Sequence, residues 1–251
     1  MNRNHFWLTE DQFARLEALL PTDTRGKPRV DDRRVISGIV HVLKSGRRWV
    51  DAGRLRPTQN TLQPLRPMGC QRCLDRHFPC LGLGWRTARP GVDRLLSREG
   101  ASLRFGRQRG EQNQAIGRSR GGRTTKIHAL TDGLCRPIAF LLTGGQVADC
   151  TAGDLLLEQM PKSPILHGDK GYDSNAIRHK VEGKGAMPNI PPKANRRWKN
   201  CFSPFLYRDR NAIERMFGRL KDFRRIATRY DRSATNFLAA VCLAATVSYW
   251  L

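Results

Sequence analysis

Negative charge is what this sequence has least of. Its 22 Asp and Glu stand against 45 Lys and Arg, a formal net charge of +23 with a pI near 10.9. A folded chain with that excess repels itself unless a polyanion neutralises it, and nucleic acid is the usual one. An anionic membrane surface and an unfolded basic tail are the alternatives, and globular patterning speaks against the second. Long apolar runs are missing too. The longest, 236–251, holds 16 residues, short of the roughly 20 that span a bilayer, so it reads as a buried C-terminal helix and no membrane partner is expected. The opening Met1-Asn2-Arg3-Asn4-His5 lacks the apolar stretch of a secretion signal. The seven cysteines, odd in number, therefore read as reduced thiols of a cytoplasmic protein.

What is present begins with helices. Thr9 and Gln12 form a capping box, Leu8 and Phe13 occupy the staple positions, and Phe13, Leu16, Leu19 and Leu20 follow at helical spacing up to Pro21. A second helix follows Asp31-Asp32, with Val35, Ile36, Ile39, Val40 and Leu43 on its apolar face and Gly46 as its stop. Residues 1–52 thus predict a small all-α unit. It is either a helix-turn-helix-like DNA-binding domain or a helical hairpin packed on the main domain.

Residues 53–110 break the pattern. They hold 12 Arg but no Lys, Ile or Tyr, with five Pro and three Cys, and neither strand nor helix periodicity persists. A structureless stretch of that length inside a compact protein is itself anomalous. Cys70, Cys73, His77 and Cys80 carry a spacing that invites zinc, a reading set aside below. With its three acids the segment contributes +9, which leaves +14 for the rest of the chain. The nucleic-acid expectation survives its removal.

From 111 to 251 strands and helices alternate. Strands are predicted at 124–130, 137–143, 163–168 and 186–190, and helices at 152–160, 175–181, 211–223 and 236–250, an α/β domain. Pro164-Ile165-Leu166 runs straight into Asp169, and a carboxylate at a strand's C-terminal end sits where open sheets bind ligands. By itself an Asp-Lys-Gly turn after a strand is common. On the 211–223 helix Arg210, Glu214 and Lys221 share one face, while Ile213, Met216, Leu220 and Phe223 share another. A solvated face with an Arg210–Glu214 pair would explain this equally well.

The spacing Tyr207-x2-Arg210-x3-Glu214-x6-Lys221, preceded by Asp169-x-Gly171-Tyr172, resembles insertion-sequence transposases of the DDE class, in particular their family-five group. Gly117–His128, Asn189–Lys193, Asn195–Lys199, Val30–Arg34 and Ser45-Gly46 with Trp49 resemble the same family. The resemblance covers roughly 6–52 and 111–251. It implies a ribonuclease H-like catalytic domain over 111–251, and a bacterial, nucleoid-associated setting. Asp169 and Glu214 would be the second and third of three carboxylates holding two Mg²⁺ (or Mn²⁺) ions about 3.5–4 Å apart. Tyr207, Arg210 and Lys221, with Arg196 and Arg197, would contact DNA. The partners implied are double-stranded DNA, as the element's terminal inverted repeats and as target, and further copies of the chain.

The first aspartate of such a site belongs at the end of the first sheet strand, before Gly117. No apolar strand ending in Asp is legible there; Asp93 is the nearest acid and a doubtful metal ligand. Read one base later, codons from Gly53 can spell G-Y-G-P-H-K-T-L-Y-N-R-F-V-R-W, and those of 93–97 can spell I-D-S-S, both family-like, with the Asp codon straddling Arg94 and Leu95. Two compensating frameshifts, near 52–54 and near Gly110, are therefore expected. On that expectation the segment is out of frame, its zinc-like spacing is an accident, the first strand is lost, and this copy is inactive. The alternative is a catalytically dead DNA-binding remnant. A basic RNA-binding protein is a weaker rival, lacking an RRM-type aromatic stacking motif.

Overall fold

The computed structural model describes residues 6–20, 31–49, 93–100 (as backbone), 114–119 and 122–251. The frameshift junctions and the Cys70–Cys80 cluster lie outside these residues. The described elements run α1 (Glu10–Glu17), α2 (Asp32–Ser45), β1 (Asp93–Gly100), β2 (Gly117–Ser119), β3 (Gly122–Thr131), β4 (Pro137–Gly144) and α3 (Asp149–Glu158). There follow β5 (Ile165–Gly168), α4 (Asn175–Gly183), β6 (Met187–Asn189), α5 (Pro204–Tyr207), α6 (Asn211–Lys221), α7 (Arg224–Ala227) and α8 (Ala234–Tyr249).

The strands form one mixed sheet in the order β4-β3-β1-β5-β6, with β2 paired to the start of β3. β1 runs antiparallel to β3 and parallel to β5, and β5 runs parallel to β6. Alternation along β3 divides the core in two. Ile127 and Ala129 face a layer of α6, α7 and α8. Leu130 faces the other way, onto Leu156 and Leu157 of α3 and Ile177 and Val181 of α4. An antiparallel trio continued by parallel strands, with helices on both faces, is a mixed α/β architecture that fits the ribonuclease H-like expectation.

One expectation is overturned. The first strand is not lost: 93–100 forms β1 at the centre of the sheet. Its Arg/Leu/Ser sequence has little strand propensity of its own, but pairing outweighs propensity in a central position. Seven residues, Arg94 to Gly100, pair with β3, and Asp93, Arg94 and Leu95 pair with β5. The sheet therefore has no open edge between β3 and β5.

The first helices form as their sequence dictates. Thr9 and Gln12 complete the capping box of α1, and Asp31 caps α2, accepting from the Arg34 N–H at 2.9 Å. Gly46 ends α2 in the left-handed region at φ 74°, which glycine adopts without steric cost. Both helices share a core with α6 and α8. Leu16, Val40 and Leu43 belong to the same apolar cluster as Met216, Phe217 and Val241. Arg225, buried between Trp49 and Tyr230, donates to the Arg47 carbonyl at 3.2 Å and ties the end of α2 to α7. The C-terminal apolar run is α8, buried at Phe237, Val241, Ala244 and Ala245. No helix among the described residues is long and apolar enough to cross a membrane, and no disulfide joins the four described cysteines.

Candidate active site

Asp169 follows directly on β5 and opens a single 3-10 turn, Lys170–Tyr172, whose first N–H it accepts at 2.9 Å. The turn is wedged from beneath. Tyr172 is fully buried, its hydroxyl 2.9 Å from Nδ1 of His128, whose Nε2 is 2.7 Å from the Thr143 hydroxyl. Burial holds the His128 imidazole down at about 4, so it is neutral near pH 7. From the side, the Asp149 carboxylate, paired with Lys126 at 3.0 Å, fills the space a side chain at 171 would need. Glycine at that position is a packing requirement of the turn that carries Asp169.

Glu214 arrives from the other direction. Ser203 caps α5, a 3-10 turn spans Arg208–Arg210, and α6 begins at Asn211. Ile213, Met216, Phe217 and Leu220 bury one face of α6 and leave Glu214 on the other. Arg210 lies between the two carboxylates: its Nη2 donates to Glu214 Oε1 at 2.6 Å, and its Nη1 is 3.9 Å from Asp169 Oδ1. Tyr207 completes the group by donating its hydroxyl to Asp169 Oδ1 at 3.2 Å, under the Arg210 guanidinium at 5.4 Å from the ring centroid. Burial first, and then the negative charge of Asp169, push the Tyr207 hydroxyl well above its ordinary range, so it remains a donor. The side chains of Asp169 and Glu214 keep 38% and 45% of their surface open, enough for a ligand to reach both.

The remaining candidates fall around this centre. Lys221 is exposed at the end of α6, two turns and about 10 Å along the axis from Glu214. Arg197 is exposed. Arg196 is engaged by the protein itself: its Nε donates to Asp173 Oδ2 at 2.5 Å and its Nη1 to Asn175 Oδ1 at 2.7 Å. Asp173 also takes Arg178 Nε at 2.9 Å and the Lys193 N–H at 2.8 Å. Burial pulls this carboxyl upward, but hydrogen bonds from Arg196, the Lys193 backbone and Arg178 outweigh it and hold it below the usual carboxylate range. Neither Asp173 nor Asp149 stood out in the sequence. Apart from Arg178, five residues beyond Asp173, their partners lie 20 to 23 residues away, beyond the reach of periodicity or local motif.

No third carboxylate among the described residues gathers with these two as a metal-binding group. In the β1–β5 register Leu95 pairs with Gly168, so Leu96 falls level with Asp169. Asp93 pairs with Leu166, three residues and about 10 Å short of that level. Among the described residues no three His, Cys, Asp or Glu gather as a metal-binding group. Asp169 and Glu214 have the hard oxygens a divalent cation requires.

Comparison with known proteins identifies the family. Residues 85–249 match the model of the transposase DDE domain, and residues 8–64 match that of a transposase group of the IS4/5 family. The chain is 31% identical over 129 residues to a transposase ascribed to insertion sequence element IS6501 of Brucella ovis, covering 51% of this chain and 98% of that one. It is 29% identical over 211 residues to one ascribed to IS402 of Burkholderia cepacia, covering 78% and 95%. Among solved structures, piggyBac transposase in a synaptic complex with hairpin DNA aligns with a TM-score of 0.51 at 10% identity, over 98% of this chain and 71% of that one. That last likeness speaks for the fold alone. DDE transposase domains are in general divalent-metal dependent. The chain belongs to the DDE transposases of bacterial insertion sequences.

Proposed function

We propose that this chain descends from an enzyme that cleaves the ends of its insertion sequence and joins their 3′-hydroxyls to target DNA, and that Asp169 and Glu214 are two of the three carboxylates of its centre. The observation that carries the reading is their convergence on Arg210 from β5 and α6. Bound divalent ions, Mg²⁺ or Mn²⁺ and two in an intact relative, supply the Lewis acidity for hydrolysis and strand transfer. The chain's own part is to hold and orient. The wedged turn fixes Asp169, the buried face of α6 fixes Glu214, and Tyr207 donates a hydrogen bond to the Asp169 oxygen it faces. Arg210, Arg197 and Lys221 present cations to DNA phosphates, Arg196 adds its charge from its tether, and α2 can extend the footprint. The net charge of +23 suits double-stranded DNA, terminal repeats and target alike. Function at paired ends calls for more than one copy, in a bacterial cytoplasm beside the nucleoid.

A second reading is favoured by the β1 register. With Leu95 and Leu96 beside Gly168 and Asp169, the centre lacks one ligand, and the present chain is a DNA-binding remnant without transposition activity. The compensating frameshifts give that loss a cause, since the shifted-frame Asp straddles positions 94 and 95, next to His167 and Gly168. DNA binding tests what the two readings share. Retention of terminal-repeat duplex should fall steeply as salt rises, as counterion release requires, and binding indifferent to salt would refute both.

A further inference from the structure

The β2–β3 hairpin stands at the same end of the sheet as Asp169. β1 and β5 run parallel toward that end, and β3 starts there because it runs antiparallel to β1. Leu95 pairs with both Gly168 and Leu130, so Ala129 is level with Asp169. Arg123 lies six residues before Ala129 on β3, about 20 Å beyond that level at the rise of a strand. There Arg118 and Arg123 are direct cross-strand partners, and both are exposed.

Directly opposite residues of an antiparallel pair project from the same face with Cβ atoms about 5 Å apart, and like charges so placed oppose the pairing. The root of the hairpin is nevertheless held firmly. Ala115, two residues before β2, has φ 47°, a left-handed conformation that L side chains disfavour. The Thr125 hydroxyl donates to its carbonyl at 2.7 Å, and Arg229 Nη1 donates to the same oxygen at 3.4 Å. Arg229 is fully buried and also donates to the Gln114 carbonyl at 2.7 Å. Farther on, β2 lies close against the end of β4: a Cβ at Gly144 would come within 3.1 Å of the Gly117 backbone. The Gly145 N–H donates to the Thr124 carbonyl at 3.2 Å. A strained residue persists only where its surroundings fix it, and such fixing concentrates where the direction of a segment matters. What this root aims outward is the arginine pair.

Two guanidiniums on one face of a fastened ribbon match phosphate, which each can take through paired N–H donors. The sequence from Gly117 to Thr124 has no aromatic ring to stack on a base, so nothing in it selects unpaired nucleotides. A duplex offers a phosphate about every 3.4 Å along each strand, and about 20 Å spans roughly six base pairs.

We infer that the β2–β3 hairpin grips the backbone of duplex DNA about six base pairs from the phosphate at Asp169, with Arg118 and Arg123 each taking a phosphate. The inference rests on the reading of the chain as a DNA-acting protein and goes beyond it by adding a second, sequence-independent contact away from the carboxylates.

The salt dependence of binding by the full chain tests it, on a duplex of about 20 base pairs centred on the repeat boundary. Each lost phosphate contact lowers the slope of log K against log salt by about 0.9, so Arg118→Gln with Arg123→Gln should lower it by about 1.8, and Arg118→Gln alone by about half of that. Lysine at both positions should keep the slope. Two further duplexes are cut to about three base pairs on one side of the boundary or on the other, too short for the hairpin to reach. One of these cuts should erase the difference between wild type and the double variant. An unchanged slope in the double variant, a difference that survives both cuts, or a fall seen on single-stranded DNA or RNA and not on duplex would overturn the inference while leaving the DNA-binding reading intact. Binding of no DNA by wild type would overturn both. Arg118→Gln removes a like-charge neighbour, so its thermal midpoint should hold or rise; a lowered midpoint would mean that the pair serves the fold, and would overturn the inference.

Discussion

Asp169 and Glu214, far apart in the chain, meet at one guanidinium: Arg210 lies 3.9 Å from the first and 2.6 Å from the second. A cation of the protein thus occupies the space between the two carboxylates that, on the proposed function, bind a divalent ion. Arg210→Ala removes that competitor. Mn²⁺ should bind the variant more tightly in the absence of DNA, by up to about fivefold, since half-exposed ion pairs contribute on the order of 1 kcal/mol or less. Paramagnetic broadening of protein resonances during a Mn²⁺ titration reads this out. Glu214→Gln in the same background should abolish the gain; a gain that persists would place the Mn²⁺ elsewhere.

The Asp173 carboxylate is the buried anchor of the basic loop, satisfied by Arg178, Arg196 and the Lys193 N–H. Asp173→Ala leaves Arg178, itself 3% exposed, with its charge unpaired, a loss of roughly 3–5 kcal/mol. The thermal midpoint should fall, and limited trypsin digestion should shift to Arg196 and Arg197 as the loop is freed. Wild-type protection of those bonds in the variant would show that the loop is held by other contacts.

A pH dependence follows from His128. Its folded pKa of about 4 lies below the ordinary value of 6.5 because the ring is buried. Protonation therefore favours the unfolded chain. The stabilisation is complete above pH 6.5 and is lost as pH falls from there toward 4, by roughly 3 kcal/mol in all. Thermal midpoints measured across that window should decline, and His128→Gln should flatten the decline. The Asp173 contribution has the opposite kind of origin, a depressed acid, and is lost only below the usual carboxylate range. A profile flat from pH 6.5 to 4 in wild type would contradict the burial of His128.

Much of this was legible in the residues. Caps and stops marked the first helices because Thr9, Gln12, Asp31 and Gly46 act locally. The strands Gly122–Thr131 and Pro137–Gly144 show in their alternating residue types, although β3 is buried on both faces from Ile127 to Thr131, and α6 separates Ile213 and Met216 from Glu214 by helical geometry. β1 was not legible, because its stability comes from two neighbours rather than from Asp93–Gly100 itself. The short helices at Pro204–Tyr207 and Arg224–Ala227 are single turns, too brief for a periodicity. Arg229, 1% exposed, was equally hidden: it serves the carbonyls of Gln114, Asp231 and Arg232, acceptors that no side-chain pattern records. Of the site, the residue identities came from spacing, and the Arg210 bridge and the Asp149 wedge behind Gly171 came only from the fold.

The most direct measurement compares the present chain with one in which residues 53–110 are decoded in the shifted frame, restoring an aspartate beside His167 and Gly168. Both are incubated with terminal-repeat DNA and Mg²⁺ or Mn²⁺, and nicking at the repeat boundary is followed. The account predicts binding by both chains, cleavage by the restored chain alone, and loss of that cleavage in Glu214→Gln. Metal-dependent cleavage by the present chain, abolished by Glu214→Gln, would show that its centre is already complete and would contradict the account.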